Sequence, residues 1–249
     1  MRQLALTFLL LVFAVPTAVS ADFPPVIAVY PSGPTVPENL LRISIRFARP
    51  LDQPVLEEIA LRNVGGSIID TAFLEQELWS PDGTVLTLLL HPGRVKTGLL
   101  AHELLGRALV EGGAVELLAG GRAIKSWNVG SEKRVPPDPA KWNVLAPTAD
   151  TLSPLRVVLE APIDALAANM IAVAAPDGHR VAGRATLAVG ESVWNFVPDK
   201  AWASGSYKVR VHPRLEDVAG NEVGQPFEGP VQQVPPEARR GAELRFSIN

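Results

Sequence analysis

The 249-residue chain contains no cysteine. It therefore has no disulfide, no thiolate metal ligand, and no attachment point for the lipid of a bacterial lipoprotein. Long apolar runs are nearly missing too. The one that stands out, Leu4 to Val15, is too short to cross a bilayer. It follows Met1-Arg2 and precedes the small residues Val19-Ser20-Ala21, the order of a secretory leader. Residues 1–21 are therefore expected to be a signal peptide cleaved after Ala21, giving an exported chain, periplasmic or extracellular, with no membrane span in its mature form. An excess of positive charge is also lacking. Lys and Arg total 23 against 26 Asp and Glu, and loss of Arg2 with the leader makes the balance one unit more negative. With no basic stripe, a nucleic-acid role is excluded.

Catalytic patterns are equally scarce. His102-Glu103-Leu104-Leu105-Gly106 approaches a zinc-protease helix, but Gly106 stands where the second histidine would have to be. His91, His179 and His212 have no ligand spacing. No Gly-x-Ser-x-Gly elbow occurs, and Ala203-Ser204-Gly205-Ser206 leads into a strand instead of a helix. These absences predict a protein that is not an enzyme and needs no metal or cofactor.

What the chain has is 23 prolines and 20 glycines spread between short alternating stretches. In Arg42-Ile-Ser-Ile-Arg-Phe47, residues Ile43, Ile45 and Phe47 share one face, the period of a half-buried strand. Pro50-Leu51-Asp52 then ends it. The same phrase returns as Leu155-Arg-Val-Val-Leu159 followed by Pro162-Ile163-Asp164. Ile59-Ala60-Leu61 and Ile171-Ala172-Val173 stand at the same separation of 112 residues, as do Gly66 and Gly178, both expected at turn positions of positive φ. Further on the order holds while the spacing drifts. Leu86–Leu90 answers to Val193–Phe196, and Ala114–Leu117 to Ser206–Val209. Many short strands with turn signals predict an all-β fold of two tandem Ig-like β-sandwich domains. The domains are expected over residues 22–131 and 142–249, joined by the proline-rich linker 132–141, with 234–241 a loop and 242–248 a last strand.

The second module carries Gly205-Ser-Tyr-Lys-Val-Arg-Val211 and then Leu215-Glu-Asp-Val-Ala-Gly-Asn221. Preceded by a strand closing in Pro-Ile-Asp, this ending resembles the SbsA-type bacterial Ig-like domain, over most of residues 142–249. The first module shares the opening strands but has Ala119-Gly-Gly-Arg122 in place of the Asp-x-x-Gly-Asn turn. The stretches Tyr30–Arg42 and Pro92–Gly98 are also similar to a group of exported bacterial proteins. The resemblance implies a sandwich fold and a place outside the cytoplasm, and no reaction.

Asp217 and Asn221 offer hard oxygens for calcium, yet such a site wants six or more. The favoured reading is a structural turn in which Asp217 accepts backbone N–H groups, Gly220 takes positive φ and Asn221 tolerates αL. Between Gly93 and Gly113 the first module holds an insert that the second lacks. Its cations Arg94, Lys96 and Arg107 are candidate partner contacts, and Leu100, Leu104 and Leu105 fit one side of a short helix; the rival reading is a lid over the core. Five tryptophans (Trp79, Trp127, Trp142, Trp194, Trp202) leave open a carbohydrate-binding sandwich with exposed aromatic platforms. Trp194 and Trp202 are expected in the core. The expected role is structural or protein-binding, with envelope or extracellular proteins as partners and glycans as the alternative.

Overall fold

A computed structural model describes residues 23–96, 98–228 and 241–249. The leader, its cleavage point at Ala21 and all but Gly241 of the loop expected over 234–241 lie outside the described residues. The first half runs through β1 (Val26–Tyr30), β2 (Thr35–Pro37), β3 (Arg42–Phe47), β4 (Ile59–Asn63), β5 (Leu78–Trp79) and β6 (Val85–Leu89). Two short helices follow, α1 (Pro92–Val95) and α2 (Leu100–Leu105), and then β7 (Ala114–Ala119) and β8 (Arg122–Gly130). The second half has β9 (Asn143–Leu145), β10 (Leu155–Val158), β11 (Ile171–Ala174), β12 (Gly183–Leu187), β13 (Val193–Pro198), β14 (Gly205–Val211) and β15 (Ala242–Ile248).

The strands form four sheets, ordered β1-β3-β6-β5 and β2-β8-β7-β4 in the first half, β12-β13-β10-β9 and β11-β14-β15 in the second. All pairings are antiparallel except β2 on β8. One core is built on Ile43, Ile45, Phe47, Leu61, Leu86, Leu88, Leu117 and Trp127, the other on Leu155, Val157, Val173, Trp194, Trp202 and Val209. Each draws on both sheets of its half, so the fold is all-β, with two Ig-like sandwiches.

The sequence repeat reaches individual hydrogen bonds. Ile69 N–H donates to Leu61 O, and Val181 N–H to Val173 O, each residue 112 beyond its counterpart. Asn63 N–H to Ser67 O recurs as Ala175 N–H to His179 O. One detail of the turn differs from expectation. Gly178 has φ +87°, but in the first copy the positive φ falls on Gly65 (+71°), because the turn there places it one residue earlier than Gly66.

The second core is threaded by aromatics. Trp194 stacks on Phe196 at 5.6 Å, Phe196 meets Trp202 at 6.0 Å, and Trp202 meets Tyr207 edge-on at 5.5 Å. Such pairs add about 0.5–1.5 kcal/mol each beyond area burial. Their polar ends are satisfied: Trp194 Nε1 donates to Ala168 O and Trp202 Nε1 to Ser153 O.

Candidate functional site

The Asp217 turn sits where the two sandwiches meet. Asp217, fully buried, accepts from Ala219 N–H (2.8 Å), Asn221 N–H (3.0 Å) and Asn221 Nδ2 (2.9 Å). Gly220 has φ +79°, and a Cβ there would lie 2.6 Å from Leu41 of the first module. The left-handed backbone favours glycine here, and a side chain would in addition have to push the Leu41 methyl aside. Asn221, expected to use its tolerance of αL, does not take a positive φ; its side-chain amide serves instead, donating to Asp217 and to Lys133 O at 3.1 Å.

Lys133, second residue of the proline-rich connection, is held from both sides. Asn39 of the first module donates to Lys133 O and accepts from Lys133 N–H, both at 2.9 Å. The Lys133 ammonium lies 3.3 Å from Asp217 Oδ2 and donates to Pro162 O at 3.2 Å. Val218 packs into the first module's core, and its carbonyl accepts from Leu41 N–H at 3.1 Å. The tip of a second-module turn therefore completes the first module's hydrophobic interior. The start of the stretch read as a spacer is a clamped joint, and only its far end, Pro139–Lys141, coils into a 3₁₀ turn before buried Trp142.

Two further contacts cross the junction. Arg42 on β3 pairs with Asp164 at 3.2 Å and with Glu216. Asp164 also accepts from Leu166 N–H, capping the 3₁₀ segment Ala165–Met170. Beside this, Glu191 is 1% exposed. Both of its carboxylate oxygens accept from Ser32 N–H at 3.1 Å, and the Ser32 hydroxyl donates to it. Ser32 Oγ in turn accepts from Gly190 N–H at 2.8 Å. Burial pushes the Glu191 carboxyl above its ordinary range, against the lowering effect of Ser32 and of Lys125, while Asp164 raises it further. Glu191 has φ +49°, a region a residue with a side chain enters at a cost.

Sequence reasoning missed Glu191, and a signal was present. Hairpin Ser80–Val85 of the first module closes with Ser80 N–H to Val85 O and Gly83 N–H to Ser80 O; in the second, Ala188 N–H bonds Val193 O and Glu191 N–H bonds Ala188 O. Glu191 stands where the first copy has Gly83, φ +65°. A glutamate in a glycine's place was visible once the hairpins were aligned.

The insert's cations are engaged within the chain. Arg94 donates to the carbonyls of Leu105 and Asp70, Lys96 lies 4.3 Å over the Phe227 ring, and Arg107 lies 3.5 Å from Glu38 and 3.7 Å from Glu132. The three are not brought together as a free cationic face. The helix expected for Leu100–Leu105 forms with its apolar side outward: Leu100 is 72% exposed and Leu104 79%. The flanks do the lid's work, since Val95, Ala108 and Leu109 are buried in the first core.

The aromatic platform for sugars is corrected by the structure. Trp127, Trp142, Trp194 and Trp202 are buried, and Trp79 is half-buried against Phe47 with Nε1 on Glu77. Four of the five fill sandwich interiors, and Trp79 alone, half-buried on Phe47, does not make an exposed aromatic platform. Among the described residues no group of three or more His, Asp or Glu side chains is placed to hold a metal ion. None of their helices is long and apolar enough to cross a membrane.

No family model matches the chain, and no curated protein does. Solved structures with a similar arrangement include the BSP domain of a biofilm associated protein, at 8% identity over 71% of this chain with a TM-score of 0.23. The N-terminal part of the bacterial S-layer protein SbsC is similar at 12% identity over 77%, TM-score 0.28. So is L,D-transpeptidase 3 from Mycobacterium tuberculosis, at 12% identity over 80% of this chain and 79% of that one, TM-score 0.28. The chain spans 25% of the first of these and 41% of the second.

Proposed function

We propose that this is an exported bacterial protein of two SbsA-type Ig-like modules that acts as a non-catalytic structural or protein-binding element of the envelope or cell exterior. The observation that carries this reading is the polar junction: Asp217, Asn221, Asn39 and Lys133 tie both modules and the connection into one body. A fixed pair of sandwiches suits a protein that sets the distance and direction between other components. Envelope or extracellular proteins are the partners this reading implies. The contact is not assigned to Arg94, Lys96 and Arg107, since each already has an intramolecular neighbour.

Cell fractionation with a C-terminal tag, combined with product analysis on peptidoglycan and polysaccharide panels, tests the proposal. The expected result is export with the leader removed and no product released. Retention in the cytoplasm, or turnover of any polymer that is lost on substituting a single residue, overturns it.

A further inference from the structure

The two sheets of the second module turn different outer faces to water. On β11-β14-β15 the outward charges are paired, Lys208 and Arg210 reaching Glu243 at 2.7 and 3.1 Å. On β12-β13-β10-β9 the register sets Leu145, Arg156 and Asn195 in one row, Val158 and Val193 in the next, and Val197 beside Arg184. Leu145 is 43% exposed, Val158 37% and Val197 45%. Among the described residues, no outward position of these four strands holds a carboxylate, and neither Arg156 nor Arg184, both exposed, has a carboxylate partner. Glu160 and Asp199 stand past the ends of β10 and β13, and Glu160 is held by Lys141 at 3.1 Å. Apolar side chains around unpaired arginines mark a docking face rather than an ordinary solvated one.

The first copy shows how such a face is used. Its β3 is the counterpart of β10, 112 residues earlier, and the outside of that sheet is docked. Tyr30, Arg42 and Ser44 close around Asp164, Ala165 and Val218 of the second module, leaving a gap of about 10 Å³. Arg42 meets the carboxylates of Asp164 and Glu216 there, and Ser44 and Thr87 are buried, 3.1 Å apart. An outward arginine taking acids from the next body is thus built into this sheet once. The equivalent sheet of the second module has the arginine and no body over it.

A surface of opposite sign and matching spacing lies on the first module. Leu100, Glu103 and Leu104 of α2 stand at i, i+3 and i+4 and share one side of the helix, with the leucines about 5–6 Å apart. All three are exposed, and Glu103 has no cation partner among the described residues, since Arg94, Lys96 and Arg107 are engaged elsewhere. On the sheet, Arg156 has Leu145 about 5 Å away on the next strand and Val158 about 7 Å along its own. An acid between two leucines therefore faces a base between two aliphatic side chains. We propose that α2 of one chain docks on the β12-β13-β10-β9 face of a second copy, with Glu103 against Arg156 and Leu100 and Leu104 against Leu145 and Val158. The contact is heterologous, so each chain keeps one helix and one sheet face unused and the association extends head to tail. It uses neither the Asp217 turn nor the Glu191 turn. It deepens the protein-binding reading by naming the partner, and it does not depend on export or on the lack of catalysis.

Sedimentation velocity of the purified protein tests this over about 10 µM to 1 mM, the range suited to a small interface. The natural sequence should give an average mass that climbs past dimer with concentration. L100S/L104S, which spoils the helix face, and R156E, which sets an acid against Glu103, should each stay at monomer mass. Their equimolar mixture should stop at dimer, because one intact helix then meets one intact sheet. If R156E fails to fold in urea titration, R156S at the same exposed position replaces it. A natural sequence that stays monomeric or halts at dimer overturns the proposal, as does a variant that assembles like the parent or a mixture that remains monomeric. Such a result removes the self-contact alone, while export and the absence of turnover are decided by the fractionation and product analysis.

Discussion

Removing the Asp217 carboxylate should cost more than any other single polar deletion in the second module. In D217A, the buried N–H groups of Ala219 and Asn221 lose acceptors at 2.8 and 3.0 Å. A buried donor left without a partner costs about 1–3 kcal/mol. Asn221 Nδ2 loses one acceptor but keeps Lys133 O at 3.1 Å. Lys133 loses its counter-charge while keeping Pro162 O and partial access to water, which limits its share. The two stranded amides and the broken pair do not add fully, so the expected total is about 3–5 kcal/mol, the range for breaking a buried pair. Urea unfolding followed by tryptophan fluorescence reads this directly. With a slope of about 1–3 kcal/mol per molar, the second module's transition should move down by roughly 1–5 M. K133M leaves the buried Asp217 carboxylate its three hydrogen bonds but no counter-charge, and should cost about 1–3 kcal/mol. A D217A midpoint within about 0.5 kcal/mol of the parent would show that water replaces the carboxylate and that the turn is not the hub of the junction.

Three other variants separate local from junction effects. E191G relieves the φ of +49°, and should stabilise the second module in urea by about 1 kcal/mol; a loss of stability in urea would contradict the strain argument. G183A places a Cβ 2.4 Å from Val197 O and 2.6 Å from Phe196 Cζ, so β12 must shift off β13 at a cost of about 1–3 kcal/mol; an unchanged midpoint would mean that this close approach relaxes freely. L100S with L104S should leave the first module's midpoint within about 0.5 kcal/mol, since both side chains face water. A larger loss would place them in the core.

Strands were legible because their information is local. The alternation in Arg42–Phe47 and Leu155–Leu159 sets which side chains face inward, and β3 and β10 form there. The last strand was readable for the same reason, and β15 spans Ala242–Ile248. The Asp217 turn was legible in part. Asp-x-x-Gly-Asn spells its internal hydrogen bonds, while its position against Leu41 and Lys133 depends on a docking geometry that no local pattern encodes. The insert shows a related limit. Its leucines have helical spacing, but spacing alone does not say which way a six-residue helix faces. Ser32 is the extreme case, a polar residue in a Pro/Gly-rich loop whose role exists only through a residue 159 positions away.

Duplication of a module creates equivalent end faces, and equivalent faces joined head to tail can propagate without limit. The two copies here have diverged where that risk lies. Glu191 faces the first module, whereas its counterpart Gly83 at the first module's far end offers no side chain. Asp164 is buried under Arg42, whereas its counterpart Asp52 is exposed. The Asp217–Asn221 turn has Ala119-Gly-Gly-Arg122 as its counterpart, with Gly120 and Gly121 in left-handed conformations and no carboxylate to grip a connection. Each junction carboxylate thus has a partner at one joint, and the first module's far end presents no matching set. The same substitutions that favour this joint over chaining place charge inside it, where each carboxylate depends on the donor or cation that meets it.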